Sequence, residues 1–328
     1  MIYEYAVDPC LVARWARDGV VGLAGQFGLD HRRLVSDFPH DWEGEVALAL
    51  LEQFGFDKSG DPDYLEANAW LSALLASMKA NMVNRRWRSQ VGGLWIEQAL
   101  EAHASEPFHA ILASAPFDDC SEVITETAPN RLHDARWYLP TVSPVAKTAQ
   151  DLATILETLL RGATRIVLVD PFFDSRDEAY RAVLAALLER ATRLRSAGRA
   201  LPSIDIISGV AEGRPDGGTT SIEDQLKNEA HNRCEWASQH LGQCIPSGVQ
   251  LTFKCVANFP EGDRLHNRFL LTDFAGASLP YGTQALGAKV FDDISPLYRG
   301  QYEYRWRQFT KPGLLKVLGD PRIVESLC

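Results

Sequence analysis

The chain has 328 residues, of which 46% are hydrophobic and 23% are charged, and its formal net charge at pH 7 is −10. This composition is typical of a globular protein and excludes an intrinsically disordered chain. The negative net charge excludes a general electrostatic attraction to nucleic acids or anionic membranes, so binding to a polyanion would need a local basic patch.

The cysteines and the apolar runs indicate the class of protein. Six cysteines are spread over positions 10, 120, 234, 244, 255 and 328 without a Cys-x-x-Cys pair, so the spacing predicts neither a zinc ribbon nor a thioredoxin-like motif, and we expect no metal or other cofactor for this chain. No run approaches about eighteen apolar residues, and the amino terminus lacks a basic region followed by an apolar one. We therefore expect no membrane insertion, no signal peptide and a reducing, cytoplasmic location.

Residues 1–140 are predicted to form a mainly helical domain. Apolar residues recur at three- and four-residue intervals between Tyr64 and Val83, and the segment GLWIEQALEAHA has the same period. The short apolar run Phe108–Ser114 is typical of a strand. A stretch rich in Pro, Thr and Ser, residues 138–150, is predicted to be a loop that precedes a second domain, residues 141–328.

The N-terminal part contains one basic cluster, in the segment NRRWRS. Arg85, Arg86 and Arg88 surround Trp87 there, and they are candidate contacts to the phosphates of a nucleic acid. The alternative is a solvated helix face. We expect this domain to recognise a substrate or a protein partner.

Strands and helices alternate from residue 150 to residue 273, which predicts a layered α/β domain. The predicted strands are RIVLVDPFF, SIDIISGV, VQLTFKCVA and HNRFLLTD. The predicted helices are DLATILETLLRGA before the first strand, RDEAYRAVLAALLERATRLRSAG after it, and SIEDQLKNEAHNRCEWASQHL with Ser221 as its N-cap. Asp170 ends the first strand, where α/β folds gather functional groups, or alternatively caps a following helix.

The segment RLHNRFLLTD carries three polar side chains on an apolar run. His266 and Arg268 share one face of an extended strand. An imidazole can act as a nucleophile or proton donor, and a guanidinium can hold two phosphate oxygens at once. The alternative is a strand that emerges at the solvated surface.

This segment resembles the signature of the phospholipase D (HKD) superfamily, in which His-x-Lys-x4-Asp is followed by Gly-Ser and commonly an Asn. His266, Arg268 and Asp273 occupy the first three positions, with arginine in place of lysine. Gly282 and Thr283 stand near the Gly-Ser position, displaced by about two residues.

Two further positions complete the comparison with the superfamily. Ala285 stands where the family has asparagine, and Glu303 is available for the glutamate that holds the histidine ring. The resemblance covers roughly residues 145–315 and implies a mixed sheet flanked by helices. Residues 1–140 have no counterpart in it.

The resemblance implies a metal-independent, two-step phosphodiesterase. One histidine forms a phosphohistidine, a second protonates the leaving oxygen, and Arg268 with the Thr283 hydroxyl neutralises the developing charge. Asn267, Gly282, Asp170 and Arg305 are the candidate substrate-binding residues.

A single motif per chain implies a homodimer in which the two copies of His266 meet. We expect nucleic acid rather than lipid as substrate, and the layout is similar to that of accessory components of bacterial antiviral defence or mobile-element systems. The alternative is a catalytically degenerate scaffold or nucleic-acid-binding subunit of a multiprotein complex, because arginine replaces lysine.

Overall fold

The fold is known from a computed structural model that describes residues 1–20, 25–39, 41–79, 82–85, 93–117, 120–125, 136–139, 142–193, 200–210, 221–257 and 265–327. The chain divides into two compact units, one built mainly from residues 2–140 and the other mainly from residues 141–195 and 200–328. We call them the N-terminal and the C-terminal unit.

The N-terminal unit is an α/β structure. In chain order its elements are β1 (Tyr3–Val7), α1 (Pro9–Arg17), β2 (Arg33–Asp37), α2 (Trp42–Phe54), α3 (Pro62–Lys79), β3 (Met82–Asn84), α4 (Trp95–Ser105), β4 (Ala110–Ala113) and β5 (Val123–Thr125). The strands form a parallel sheet in the order β3-β2-β1-β4-β5. The helices α3 and α4 and the strand β4 confirm three of the predicted elements.

The prediction of a mainly helical N-terminal part was incomplete, because it missed four of the five strands. Those strands, β1, β2, β3 and β5, are only three to five residues long. All five residues of β1 except Tyr3 are buried. A strand that is covered on both faces lacks the alternation of polar and apolar residues that identifies strands in a sequence.

The C-terminal unit contains a mixed sheet, as predicted. In chain order its elements are β6 (Ser143–Lys147), α5 (Ala149–Ile155), α6 (Glu157–Gly162), β7 (Arg165–Val169), α7 (Glu178–Arg193), β8 (Ser203–Val210), α8 (Ile222–His240), β9 (Gln250–Ala257), β10 (Phe269–Thr272), β11 (Gly276–Ser278), β12 (Gly287–Pro296), α9 (Arg299–Thr310) and β13 (Val317–Val324). The strands follow the order β13-β9-β8-β7-β10-β11-β12-β6. Strands β7, β8 and β9 are mutually parallel, and the remaining neighbours pair antiparallel.

Several local predictions for this unit can be compared with the structure. Ser221 caps α8, since its hydroxyl accepts a hydrogen bond from the Asp224 amide at 3.1 Å. The stretch 138–150, predicted as a loop, instead contains β6 and the first residues of α5. None of the described helices is long and apolar enough to cross a membrane.

Helix α9 packs against β10. The rings of Phe309 and Phe269 lie 6.1 Å apart, and the Tyr302 hydroxyl donates to the Thr272 carbonyl at 2.9 Å. The side chains of α9 thereby come close to the strand that follows His266 and Arg268.

Candidate active site

The residues around Arg268 lie at the carboxyl edge of the parallel strands. Strand β10 runs antiparallel to β7, and Phe269 pairs with Val169, the last residue of β7. Arg268, just before β10, is therefore beside Asp170, just after β7. Ligands of open α/β sheets bind outside the carboxyl ends of the strands, so this is the edge where a site is expected.

Asp170 is fully buried and organises this edge. Its Oδ2 atom accepts hydrogen bonds from the Thr283 amide and the Thr283 hydroxyl, each at 2.8 Å, and Oδ1 accepts one from the Phe172 amide at 3.1 Å. Its Oδ1 also lies 3.7 Å from Nε of Arg268. Since α7 begins only at Glu178, Asp170 is not a helix cap. Its role is to hold other site residues in place.

Arg268 is anchored but remains partly open to solvent. Its Nη1 atom donates to the Pro280 carbonyl at 2.7 Å, and its guanidinium carbon lies 4.7 Å from the centre of the Phe172 ring. The side chain is 24% exposed. A guanidinium carries five N–H donors, so an anion at this edge can still be bound by donors that these contacts do not use.

The loop of residues 279–283 closes over the edge, and Gly282 permits its close approach. Gly282 has a φ of +71°, and a Cβ atom at this position would lie 2.7 Å from both Cδ of Arg268 and Oδ2 of Asp170. A larger residue would clash and would also strain the backbone. Gly282 was predicted to bind substrate; in the structure it instead allows the loop to approach Arg268 closely.

Thr283 has a different role from the one implied by the resemblance. Its hydroxyl and its amide both donate to Asp170, and the residue is buried. The hydroxyl proton is therefore already used and does not neutralise charge on a substrate. Thr283 is a positioning residue of the loop.

Lys147 and Asp292 support the same loop and were missed by the sequence analysis. The Lys147 ammonium donates to the carbonyls of Gly282 and, at 3.3 Å, Tyr281, and lies 3.9 Å from Oδ2 of Asp292. Asp292 in turn accepts a hydrogen bond from the Tyr281 amide at 3.1 Å. Both side chains are fully buried. Little in the sequence indicates this pair: Lys147 ends the segment SPVAK, and Asp292 lies within the segment VFDDI.

Burial disfavours the charged form of both members of this pair and therefore moves their pKa values in opposite directions. Desolvation lowers the pKa of Lys147, although Asp292 and Asp170 partly oppose this, and desolvation raises the pKa of Asp292. Oδ1 of Asp292 has no hydrogen-bond partner among the described residues. A buried ion pair of this kind fixes geometry more reliably than it adds stability.

His266 and Asn267 are exposed and precede β10, which begins only at Phe269. The predicted strand was therefore three residues too long at its start. The His266 imidazole is accessible to solvent, two residues before Arg268. The catalytic role of His266 stays a prediction.

Asp273 does not belong to the site, which corrects its assignment as catalytic. Its carboxylate accepts hydrogen bonds from the Thr164 amide at 3.0 Å, the Thr164 hydroxyl at 2.6 Å and the Arg165 amide at 3.4 Å. These contacts lie at the start of β7, whereas Arg268 lies at its end. Arg268 and Asp273 flank β10 and are five residues apart, which is about 17 Å along an extended strand. Asp273 fixes the pairing of the two strands.

Glu303 does not hold the His266 ring within one chain, which corrects a second prediction. It lies on α9, its side chain is 62% exposed, and its carboxylate is 3.6 Å from Nη1 of Arg299, one helical turn away. This is an ordinary surface pair of the i,i+4 type.

Arg85, the described residue of the basic cluster in the N-terminal unit, is buried and is not placed to contact a nucleic acid. Arg85 is 1% exposed, and its guanidinium donates to both carboxylate oxygens of Glu4, at 2.7 and 3.1 Å. Its guanidinium carbon also lies 3.6 Å from the centre of the Phe108 ring. A buried charge needs such a partner, so Arg85 has a structural role. Arg86 and Arg88 lie outside the described residues.

Asn267 and Arg305, both predicted to bind substrate, line one cleft between α9 and the strands β10 to β12. Its volume is about 480 Å³. The predictions that no cofactor and no metal take part remain untested. Among the described residues, no group of three or more His, Cys, Asp or Glu side chains is placed to hold a metal ion.

No protein-family model matches this sequence, and no curated protein is significantly similar to it. The resemblance of residues 266–273 to the phospholipase D signature therefore stays a prediction from the sequence.

Proposed function

We propose that the C-terminal unit is a metal-independent phosphodiesterase of the phospholipase D type, a nuclease that shares its site across a homodimer. The observation that carries this proposal is an exposed histidine two residues from an anchored, partly exposed arginine at the carboxyl edge of a mixed sheet. This edge is where an α/β unit binds its ligand. The same layout suits an antiviral defence or mobile-element system.

The chemistry requires two imidazoles. A ring nitrogen of His266 attacks phosphorus, the bond to the leaving oxygen breaks, and His266 of the second copy donates a proton to that oxygen. Water then attacks the phosphohistidine while the second imidazole takes up its proton, which breaks the P–N bond and restores both rings. Arg268 stabilises the negative charge that develops on the phosphoryl oxygens.

The test is hydrolysis of bis(p-nitrophenyl) phosphate and of single-stranded DNA and RNA in the presence of EDTA. We expect His266→Ala to lower the rate at least about a thousandfold, because no nucleophile remains. His231→Ala, which removes an exposed histidine on α8, is the matched control and should leave the rate unchanged. A wild-type chain that is folded but inert on all three substrates would rule the proposal out.

One observation favours the second candidate function, a non-catalytic scaffold or nucleic-acid-binding subunit. The Arg268 guanidinium already contacts Pro280 and Asp170, as a purely structural arginine would. The variants Arg268→Lys and Arg268→Ala separate the two functions. A catalytic site should keep measurable hydrolysis with lysine, which restores the residue of the family motif, and lose it with alanine. A scaffold shows no hydrolysis with any of the three residues.

A further inference from the structure

The cleft between α9 and the strands β10 to β12 has a lining that is suited to one kind of ligand. Its polar lining residues are Asn267, Ser278, Ser295, Gln301, Tyr304 and Arg305, and Phe269 adds a second aromatic ring. In the described part of the chain this lining includes a cation and no acidic side chain, although the chain as a whole carries a net charge of −10. The cleft therefore favours an anionic group that also forms hydrogen bonds.

Arg305 is held in place by two aromatic rings. Its guanidinium carbon lies 5.2 Å from the centre of the Phe269 ring and 5.1 Å from that of the Tyr304 ring. Its Nη1 atom also donates to Oε1 of Gln308 at 2.8 Å. A guanidinium that is fixed in this way loses little conformational entropy when it binds a phosphate.

Tyr304 adds an aromatic surface to the same cleft. Tyr304 is 48% exposed, so its ring lies at the surface of the cleft that it lines. Proteins that bind single-stranded nucleic acids combine such rings with cations that contact the backbone. The amides of Asn267 and Gln301 can in addition form hydrogen bonds with the edge of an unpaired base.

The cleft begins beside the proposed catalytic residues in the chain, although neither His266 nor Arg268 lines it. Asn267 lies between His266 and Arg268 in the chain, so its Cα atom is about 3.8 Å from each of theirs. A volume of about 480 Å³ is within the range of roughly 300–1,000 Å³ of small-molecule sites. A single nucleotide unit can occupy it, whereas a base that is stacked within a duplex cannot enter.

We propose that this cleft binds one nucleotide unit of a single-stranded nucleic acid, next to the phosphodiester that reaches His266 and Arg268. Arg305 binds the phosphate of that unit, and Tyr304 stacks on its base. The inference rests on the proposed function, because it assigns the substrate class of the same site.

The experiment measures the binding of fluorescein-labelled single-stranded DNA and RNA octamers to the full chain by fluorescence anisotropy. All chains carry His266→Ala, so that no turnover occurs. We expect Arg305→Ala to weaken binding about tenfold or more, because a charge-assisted contact is lost. The matched control is Arg307→Ala, which removes the same charge from an exposed position of the same helix outside the cleft and should weaken binding less than about twofold.

A second pair of variants covers the case in which Arg305→Ala fails to fold. Tyr304→Ala should weaken binding about tenfold, because stacking on a base is lost. Tyr298→Ala removes an equally exposed ring outside the cleft and is its control. Circular dichroism melting of each variant shows which chains are folded.

The proposal is overturned if Arg305→Ala and Arg307→Ala weaken binding equally, if no octamer binds, or if the chain binds vesicles of anionic phospholipid in preference to the octamers. These outcomes are distinct from a failure of the proposed function. Octamer binding that depends on Arg305, in a wild-type chain that does not hydrolyse bis(p-nitrophenyl) phosphate, would support the nucleotide cleft and reject catalysis.

Discussion

Asp170 binds Thr283 through two hydrogen bonds to a single carboxylate oxygen, one from the amide and one from the hydroxyl, and both measure 2.8 Å. The two residues are separated by 113 positions in the chain. This contact fixes the loop that carries the carbonyl bound by Arg268. The position of the Arg268 guanidinium therefore depends on a buried residue that does not itself face a ligand.

Asp170→Ala should lower the free energy of unfolding by about 2–4 kcal/mol. The substitution leaves the two buried donors of Thr283 without an acceptor and removes the acidic partner of Arg268. Urea unfolding followed by tryptophan fluorescence measures the effect. Asp174→Ala is the control, since its ion pair with Arg176 is partly exposed and should be worth less than about 1 kcal/mol. Equal losses in the two variants would contradict the role of Asp170.

Lys147→Met should destabilise the chain by about 3–5 kcal/mol, because Asp292 is left buried without its cation. Combining Lys147→Met with Asp292→Leu should recover part of that loss, since both charges are then gone. A double-mutant cycle in urea measures the coupling of the pair. Lys289→Met, at an exposed position of β12, is expected to change stability by less than about 0.5 kcal/mol. Strictly additive losses would show that the pair does not interact.

Asp292→Asn should remove a pH dependence of stability. Burial raises the pKa of Asp292 above its usual 3.8, so the folded chain keeps a proton at pH values where the unfolded chain has lost it. The free energy of unfolding of the wild type therefore falls, relative to the variant, as the pH rises from 3.8 through the raised pKa. Urea unfolding at a series of pH values measures the difference.

The control for this pH series is Asp320→Asn, at an exposed position of β13, at the other end of the sheet order from β12. It should keep the pH dependence of the wild type, because it leaves Asp292 and its neighbours unchanged. An unchanged profile in Asp292→Asn would show that this carboxyl titrates as it does in the unfolded chain.

Mixing the wild-type chain with His266→Ala should lower activity more than simple dilution does. If each site needs His266 from both copies, only dimers of two wild-type chains are active, and an equal mixture retains about a quarter of the undiluted activity. Hydrolysis of bis(p-nitrophenyl) phosphate after subunit exchange measures this fraction. An activity of one half would show that each chain works alone, and sedimentation at the 36.4 kDa mass of one chain would exclude the dimer.

Much of the C-terminal unit could be predicted from the sequence. The apolar runs of β7, β8, β9 and β10 stand out because turn residues separate them from the helices. The pair His266 and Arg268 was found in the same way, as polar residues beside one of those runs. Strands β1 and β2 were missed because charged residues such as Glu4 and Arg33 leave only short apolar runs, and β3 and β5 were missed because they have three residues each.

The sequence by itself determined the main strands and helices between residues 150 and 273 and the candidate pair at residues 266–268, because both depend on neighbours a few positions away. The tertiary structure alone decided which polar residues share an environment. Lys147 reaches Gly282 across 135 positions, and Arg85 reaches Glu4 across 81. Asp273, only five residues from Arg268, was carried to the opposite end of β10. The pairing of strands brings distant side chains together and separates near ones, and spacing along the chain does not encode which of the two occurs.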